Sequence, residues 1–244
     1  MFIEGKNAVL QALESDRTIN KIFIDKNYQT RKDDVIHLSV QKKVKIEYLP
    51  KVALDKKSKT GRHQGYIADA VDFVYCQLDD ILACAKERGE KPFIIMLDGI
   101  EDPHNLGAIV RSCECGGVHG IVLSKNRSVQ VNETVVRTST GAINNMNIAR
   151  VNNLKEAVDF FRENDIWVYA AEAGGESIYN KKLDGGVAVI IGSEGFGVKK
   201  SLQSYCDGVI SLPLKGKVNS LNASVACGVI VFEILRQREQ RSCK

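Results

Sequence analysis

Apolar positions along the chain fall into two successive series in which helical and strand-like periods alternate. In the first, Ile3, Ala8, Val9, Ala12 and Leu13 recur at helical spacing over residues 2–15, and the run KIFID at 21–25 has the length of a strand. The pattern next predicts a helix over 33–40, a strand over 44–49, a helix over 50–57 opened by Pro50, and a strand over 66–71. Helices and strands alternating in this way make a small α/β unit with a covered sheet. From 76 to 91 the period loosens into a stretch that includes DDILACAKERGEK, polar at both ends and followed by Pro92. It reads as a linker.

The second series starts with FIIML at 93–97, an apolar run that Asp98-Gly99 ends. The tetrapeptide DPHN at 102–105 then turns the chain into a helix that runs to about Cys115 and stops at Gly116-Gly117. Strands follow at 120–123, 148–151, 167–171, 187–191 and from Val209, with helices over 132–139, 153–163 and 199–205. Strands so uniformly apolar are buried on both faces, which implies a mostly parallel sheet. Near the end, VISLPLKGKVNSLNASVACGVIVFE carries a strand broken at Pro213, a polar loop over 215–220, and an apolar helix that Ser220 or Asn222 can cap. Corners of this kind bring backbone N–H groups and short polar side chains to a ligand.

With 244 residues, 44% hydrophobic and 26% charged, the chain has the composition of a globular protein large enough for two domains. No apolar run reaches the ~18 residues of a membrane span. The opening MFIEGKNAVLQALE lacks the apolar segment of a signal peptide, so no membrane and a cytoplasmic location are expected. Seven cysteines without a C-x-x-C pair and four scattered histidines point to neither disulfides nor a metal. The net charge of +4 does not by itself announce a nucleic-acid partner, but its distribution is uneven. Between Lys42 and Arg62 eight basic residues face only Glu47 and Asp55, a stretch sized to follow a phosphate backbone.

Three constellations carry polar groups suited to chemistry. In DPHNLGAIVRS, Asn105 lies at or before the helix start and Arg111 two turns later. On one continuous helix they would stand about 120° apart, at ~100° per residue, so they converge only if Asn105 precedes it. An arginine within IVRSC has few polar neighbours, and its guanidinium calls for a partner. The second constellation, VAVIIGSEGFG, runs a strand directly into glycines, where a ligand can approach the backbone. Its G-x-x-G-x-G order is not the dinucleotide fingerprint, and Glu194 within it reads either as a turn acid or as a hydrogen-bond acceptor. The third gathers Ser220, Asn222 and Ser224, of which helix capping explains one.

Taken together and in this order, DPHNLGAIVRS, IIGSEGFG and ISLPLKGKVNSLNASVA resemble the three motifs of the SpoU (TrmH) family of RNA ribose 2'-O-methyltransferases, within the SPOUT superfamily. The likeness is close over 93–240. It is looser over 1–75, where IEGKNAVLQAL and HQGY resemble the family's ribosomal-protein-like domain. The resemblance implies an α/β fold, with an RNA substrate-binding domain over 1–75, a linker over 76–91, and a methyltransferase domain over 92–244 whose mostly parallel sheet holds a deep trefoil knot.

It further implies S-adenosylmethionine as methyl donor and no metal. The matching donor-site positions are Thr140, Gly141, Gly192, Glu194, Ile210, Leu212, Ser220 and Leu221. Backbone groups at Gly192, Leu212 and Leu221 would read the donor while the leucine side chains wall the pocket. Catalysis would fall to Arg111, Asn105, Glu194, Ser220 and Asn222. An arginine titrates above about 12, so stabilising a developing alkoxide suits Arg111 better than acting as a base. Phe196 departs from the pattern, where a smaller or charged residue is expected, as do Cys113 and Cys115, where alanine is common. The family also implies RNA as partner, here a guanosine of 23S ribosomal RNA, and a homodimer, which the apolar last helix suits. The alternatives are a transfer-RNA 2'-O-methyltransferase and a non-catalytic RNA-binding assembly factor; the intact polar set disfavours the latter.

Overall fold

The computed structural model describes residues 1–14, 18–31, 33–71, 73–217 and 220–242; Val218 and Asn219, in the loop expected over 215–220, lie outside the described residues. The chain divides into two units, Met1–Val74 with Gln130–Glu133, and Tyr75–Val129 with Thr134–Lys244.

The first unit is built on a four-stranded sheet. Its strands, β1 (Phe2–Glu4), β2 (Ile19–Asp25), β3 (Lys45–Leu49) and β4 (Tyr66–Ala70), lie in the order β1-β4-β2-β3. Only the β2/β3 pair is parallel. Alternation along the strands sends Ile22, Ile24 and Ala68 to one face, against Val9 and Leu13 of α1 (Lys6–Glu14) and Val35 of α2 (Asp34–Gln41). Phe23 and Ile67 point the other way, onto Leu54 of α3 (Lys51–Lys57). Residues 2–4, expected to begin a helix, instead pair with β4, Phe2 opposite Asp69 and Glu4 opposite Ile67. The ladder gives this short segment backbone partners that an isolated first helical turn lacks.

Glu4 also fixes the loop that follows α3. Its carboxylate accepts hydrogen bonds from Ser58 Oγ at 2.5 Å, the Lys59 amide at 2.7 Å, and Thr60 Oγ1 at 2.5 Å. Desolvation pushes the carboxyl's pKa upward, but these bonds outweigh it and hold the pKa down at about 2. Lys56, Lys59 and Arg62 stand exposed on and beside this clamped loop.

The second unit carries six strands, all parallel, in the order β10-β8-β9-β5-β6-β7. They are β5 (Phe93–Asp98), β6 (Gly120–Ser124), β7 (Asn147–Val151), β8 (Trp167–Ser177), β9 (Val187–Gly192) and β10 (Gly208–Ser211). One face packs Ile94, Met96 and Ile190 against Val158 and Phe161 of α7 (Leu154–Glu163) and Leu202 of α8 (Lys200–Gln203). Ile81 of α4 (Leu78–Glu87) joins the same core, so the stretch expected as a linker over 76–91 is an amphipathic helix that covers the sheet. Phe93, Ile95 and Leu97 alternate to the opposite face. There α5 (Pro103–Cys115) and α9 (Ala223–Ser242) pack together, Cys113 Sγ lying 4.0 Å from Cys227 Sγ. The remaining helix, α6 (Glu133–Thr138), precedes a short 3-10 turn, Ala142–Asn145. Among the described residues no helix is long and apolar enough to cross a membrane.

Candidate active site

The carboxyl ends of β5, β8, β9 and β10 meet at the part of the sheet where strand order reverses, the region in which open parallel sheets bind ligands. Three local features shape it.

The first is the turn after β9. Gly197 N donates to Ser193 O at 2.8 Å, closing residues 193–197 into a tight hairpin. A Cβ on Gly192 would lie 2.0 Å from the carbonyl carbon of Gly197, so a side chain at 192 is incompatible with the turn folding back on its base. Gly197 itself has φ +63°, and its Cβ would fall 2.1 Å from a Glu172 carboxylate oxygen.

The second is a wide bulge in β8. Val209 of β10 pairs with Ala170, yet the next residue, Ile210, pairs with Glu176, so residues 171–175 bulge out of the pairing with β10 while Ala171 stays opposite Ile191 of β9. Glu172, from this bulge, accepts the Val198 amide at 2.9 Å and thereby anchors the far end of the glycine turn.

The third is the start of α9. Asn222 Oδ1 accepts the amides of Ser224 at 3.0 Å and Val225 at 3.2 Å, which makes Asn222 the capping residue of the two that were expected.

Between these features lies a cavity of about 360 Å³. Gly192, Glu194, Ile210, Leu212, Ser220 and Leu221 all line it, together with Glu172, Ala226 and Ile230. Its size is that of a small-molecule site, and its walls combine aliphatic side chains with the polar groups of Glu172, Ser193, Glu194 and Ser220, a mixture that fits a nucleoside-sized ligand. Thr140 and Gly141 stand elsewhere, on an exposed corner with φ of 50° and 91° between α6 and the 3-10 turn.

Next to the cavity three side chains from separate parts of the sequence interlock. Asn105 Nδ2 donates to Glu194 Oε1 at 3.0 Å, and Asn222 Nδ2 donates both to Asn105 Oδ1 at 2.9 Å and to Glu194 Oε1. Two amides thus hold one carboxylate in place at a solvent-accessible position. Arg111 does not join them. Asp102 caps α5 and Pro103 is its first residue, so Asn105 is the third residue of the same continuous helix and does not precede it. Six residues on, Arg111 projects about 120° around the axis, at ~100° per residue. It is exposed, with no partner among the described residues, in place of the partner its sequence context called for.

On the other side of the glycine turn is a second cleft, of about 670 Å³, which shares Asn105, Glu194 and Phe196 with the first site's surroundings. Glu172, Phe196, Arg127 and Lys199 were not singled out for these sites from sequence. For Glu172 the signal was present: an acid directly after the apolar run of a parallel strand sits at the ligand-binding end of the sheet.

Residues 92–232 match the SpoU rRNA Methylase family, and residues 2–75 match RNA 2'-O ribose methyltransferase substrate binding. The chain belongs to the SpoU family. Its relatives include YacO of Bacillus subtilis (strain 168), provisionally named a TrmH family tRNA/rRNA methyltransferase, 41% identical over 97% of this chain and 96% of that one. A similarly named protein of Staphylococcus haemolyticus (strain JCSC1435) is 37% identical over 98% of this chain and 96% of its own. Among solved structures, the SpoU methyltransferase AviRb from Streptomyces viridochromogenes, crystallised with AdoMet, shares the fold at a TM-score of 0.64 and 21% identity, covering 98% of this chain and 90% of AviRb. As a SpoU methylase the protein is an enzyme, an RNA methyltransferase. Among its described residues there is no group of three or more His, Cys, Asp or Glu that could hold a metal ion.

Proposed function

We propose that this SpoU methylase transfers a methyl group from S-adenosylmethionine to a ribose 2'-hydroxyl, and that its target is a guanosine of 23S ribosomal RNA. The observation that carries the reading is the meeting of a nucleoside-sized cavity with the Asn105–Glu194–Asn222 cluster. Gly192, Leu212 and Leu221 would hold the donor through their backbones, with Ile210 and Ile230 packing against its apolar parts. When bound, the donor supplies an activated methyl group on a sulfonium. The protein's share is then to orient the hydroxyl and manage its proton. Glu194, fixed by the two amides, accepts a hydrogen bond from the ribose, and Ser220 lies on the wall of the cavity where a second one can form.

The N-terminal domain, taken as 1–75, would supply the RNA grip. The end of α3 and the loop clamped by Glu4 offer Lys56, Lys59 and Arg62 to phosphates. The expected trefoil threading around the donor and a cytoplasmic location belong to the same proposal.

A homodimer belongs to it as well. Val225, Val229 and Phe232 of α9 are 51%, 39% and 50% exposed at i, i+4 and i+7, an apolar stripe on one helix face. Because Arg111 and the Asn105 cluster occupy different sides of α5, pairing through α9 is the route by which a second copy would complete the set. Light scattering is expected to give wild-type protein about twice its chain mass of 27.0 kDa and Phe232→Asp the single-chain mass. A monomeric wild type would remove the dimer from the account.

Incubating the purified enzyme and labelled donor separately with ribosomal RNA and transfer RNA, then digesting to nucleosides, tests the reaction. Label in 2'-O-methylguanosine from 23S RNA is expected. Label only in transfer RNA would defeat the ribosomal target; label on a base would defeat ribose methylation.

A further inference from the structure

Phe196 is 94% exposed, the most exposed of the large apolar side chains in the described structure. Leaving a phenylalanine in water forgoes roughly 2 kcal/mol of burial. The turn that carries it is nevertheless closed at its base by the Ser193–Gly197 pairing and anchored through Glu172, so the ring is held out by a defined hairpin. It borders both the donor-sized cavity and the second cleft.

The charge of the second cleft narrows what can enter. Its described lining carries four carboxylates, on Asp98, Glu101, Asp102 and Glu194, against two cations, on Arg127 and Lys199. Lys199 is already bound to buried Asp98, with Nζ 2.9 Å from Oδ1. Asp102 caps α5 by accepting the His104 amide at 2.9 Å. Glu101 is exposed, with no partner among the described residues. An excess of acceptors repels phosphate but suits a neutral ring with N–H donors at its edge.

We propose that the second cleft takes the base of the target nucleotide, with Phe196 stacked on its face and Glu101 accepting from its exocyclic or ring N–H groups. The inference rests on the methyl-transfer reading and deepens it. A ribose held at Asn105 and Glu194 carries its base one bond away, and those two residues also line this cleft. The glycine turn then separates donor from base, and Phe196 at its tip reports on both.

The test uses full-length Phe196→Ala and Phe196→Trp. Base–aromatic stacking is worth ~1–3 kcal/mol per base by alanine substitution, so Phe196→Ala should raise the KM for RNA about 10-fold. The ring also borders the donor cavity, so donor affinity by calorimetry should fall by less than the RNA effect, and Phe196→Trp should restore KM, because any flat ring offers a stacking face. Independently of turnover, the fluorescence of the new tryptophan should be quenched by a 12-nucleotide oligoadenylate more strongly than that of wild type, whose tryptophan is Trp167. Three results overturn the proposal: an unchanged KM together with no added quenching, a fall in donor affinity matching the fall in RNA affinity, or a change of oligomeric state in Phe196→Ala. Added quenching in Phe196→Trp together with RNA binding but no methylation by the wild-type enzyme would instead refute the reaction while leaving the base site in place.

Discussion

Replacing Arg111 by alanine is expected to lower methyl transfer by about 10²–10³-fold, the loss typical of deleting one donor aimed at a developing oxyanion. Donor binding should be unaffected, since Arg111 does not line the cavity. The size of the effect follows from the reaction. The 2'-hydroxyl must acquire alkoxide character, and a guanidinium without an internal partner has all of its donors available for that charge or for the adjacent phosphates. Lysine at the same position should recover only part of the rate, because a point charge does not reproduce a planar fork. Single-turnover rates at saturating donor and RNA measure this directly. A wild-type rate in Arg111→Ala would take the residue out of the chemistry.

The second large effect is expected from the smallest substitution. Gly192→Ala places a methyl group 2.0 Å from the carbonyl carbon of Gly197 and 2.2 Å from the Val198 amide nitrogen. Those are backbone atoms held by the Gly197-to-Ser193 hydrogen bond and by Glu172, so no side chain can swing aside to make room. Overpacking of this kind costs ~1–3 kcal/mol or more. The turn should therefore open, with a loss of about 2 kcal/mol in urea denaturation and at least a 10-fold loss of donor affinity, since the same turn walls the cavity. Unchanged stability would mean that the turn is not packed as described.

Much of this was legible in the sequence, and the parts that were not share a cause. The apolar runs of β5 and β9 and the cap-and-proline opening of α5 are strong local signals, and each element stands where those signals put it. By contrast, β1 is three residues long, too short to show a period, and exists because β4 lies beside it. The helix α4 was masked by its charged ends, although Ile81 and Ala85, spaced by four and both buried, mark its inward face. For Asn105, the rule that proline favours the first helical turn already placed the residue inside α5, so the condition for its convergence with Arg111, that it precede the helix, is not met within one chain. The bulge that delivers Glu172, and the second cleft around Phe196, arise from register between distant strands, which no local pattern records.

All of the site chemistry depends on the cavity between the glycine turn, Leu212, Ser220, Leu221 and α9 being the place where the methyl donor binds. Titrating wild-type protein with S-adenosylmethionine in a calorimeter tests that most directly. Wild-type protein is expected to give saturable heat with one donor per chain, at least 10-fold weaker in affinity for Gly192→Ala and unchanged for Arg111→Ala; no heat at millimolar donor, or wild-type affinity in Gly192→Ala, would contradict this.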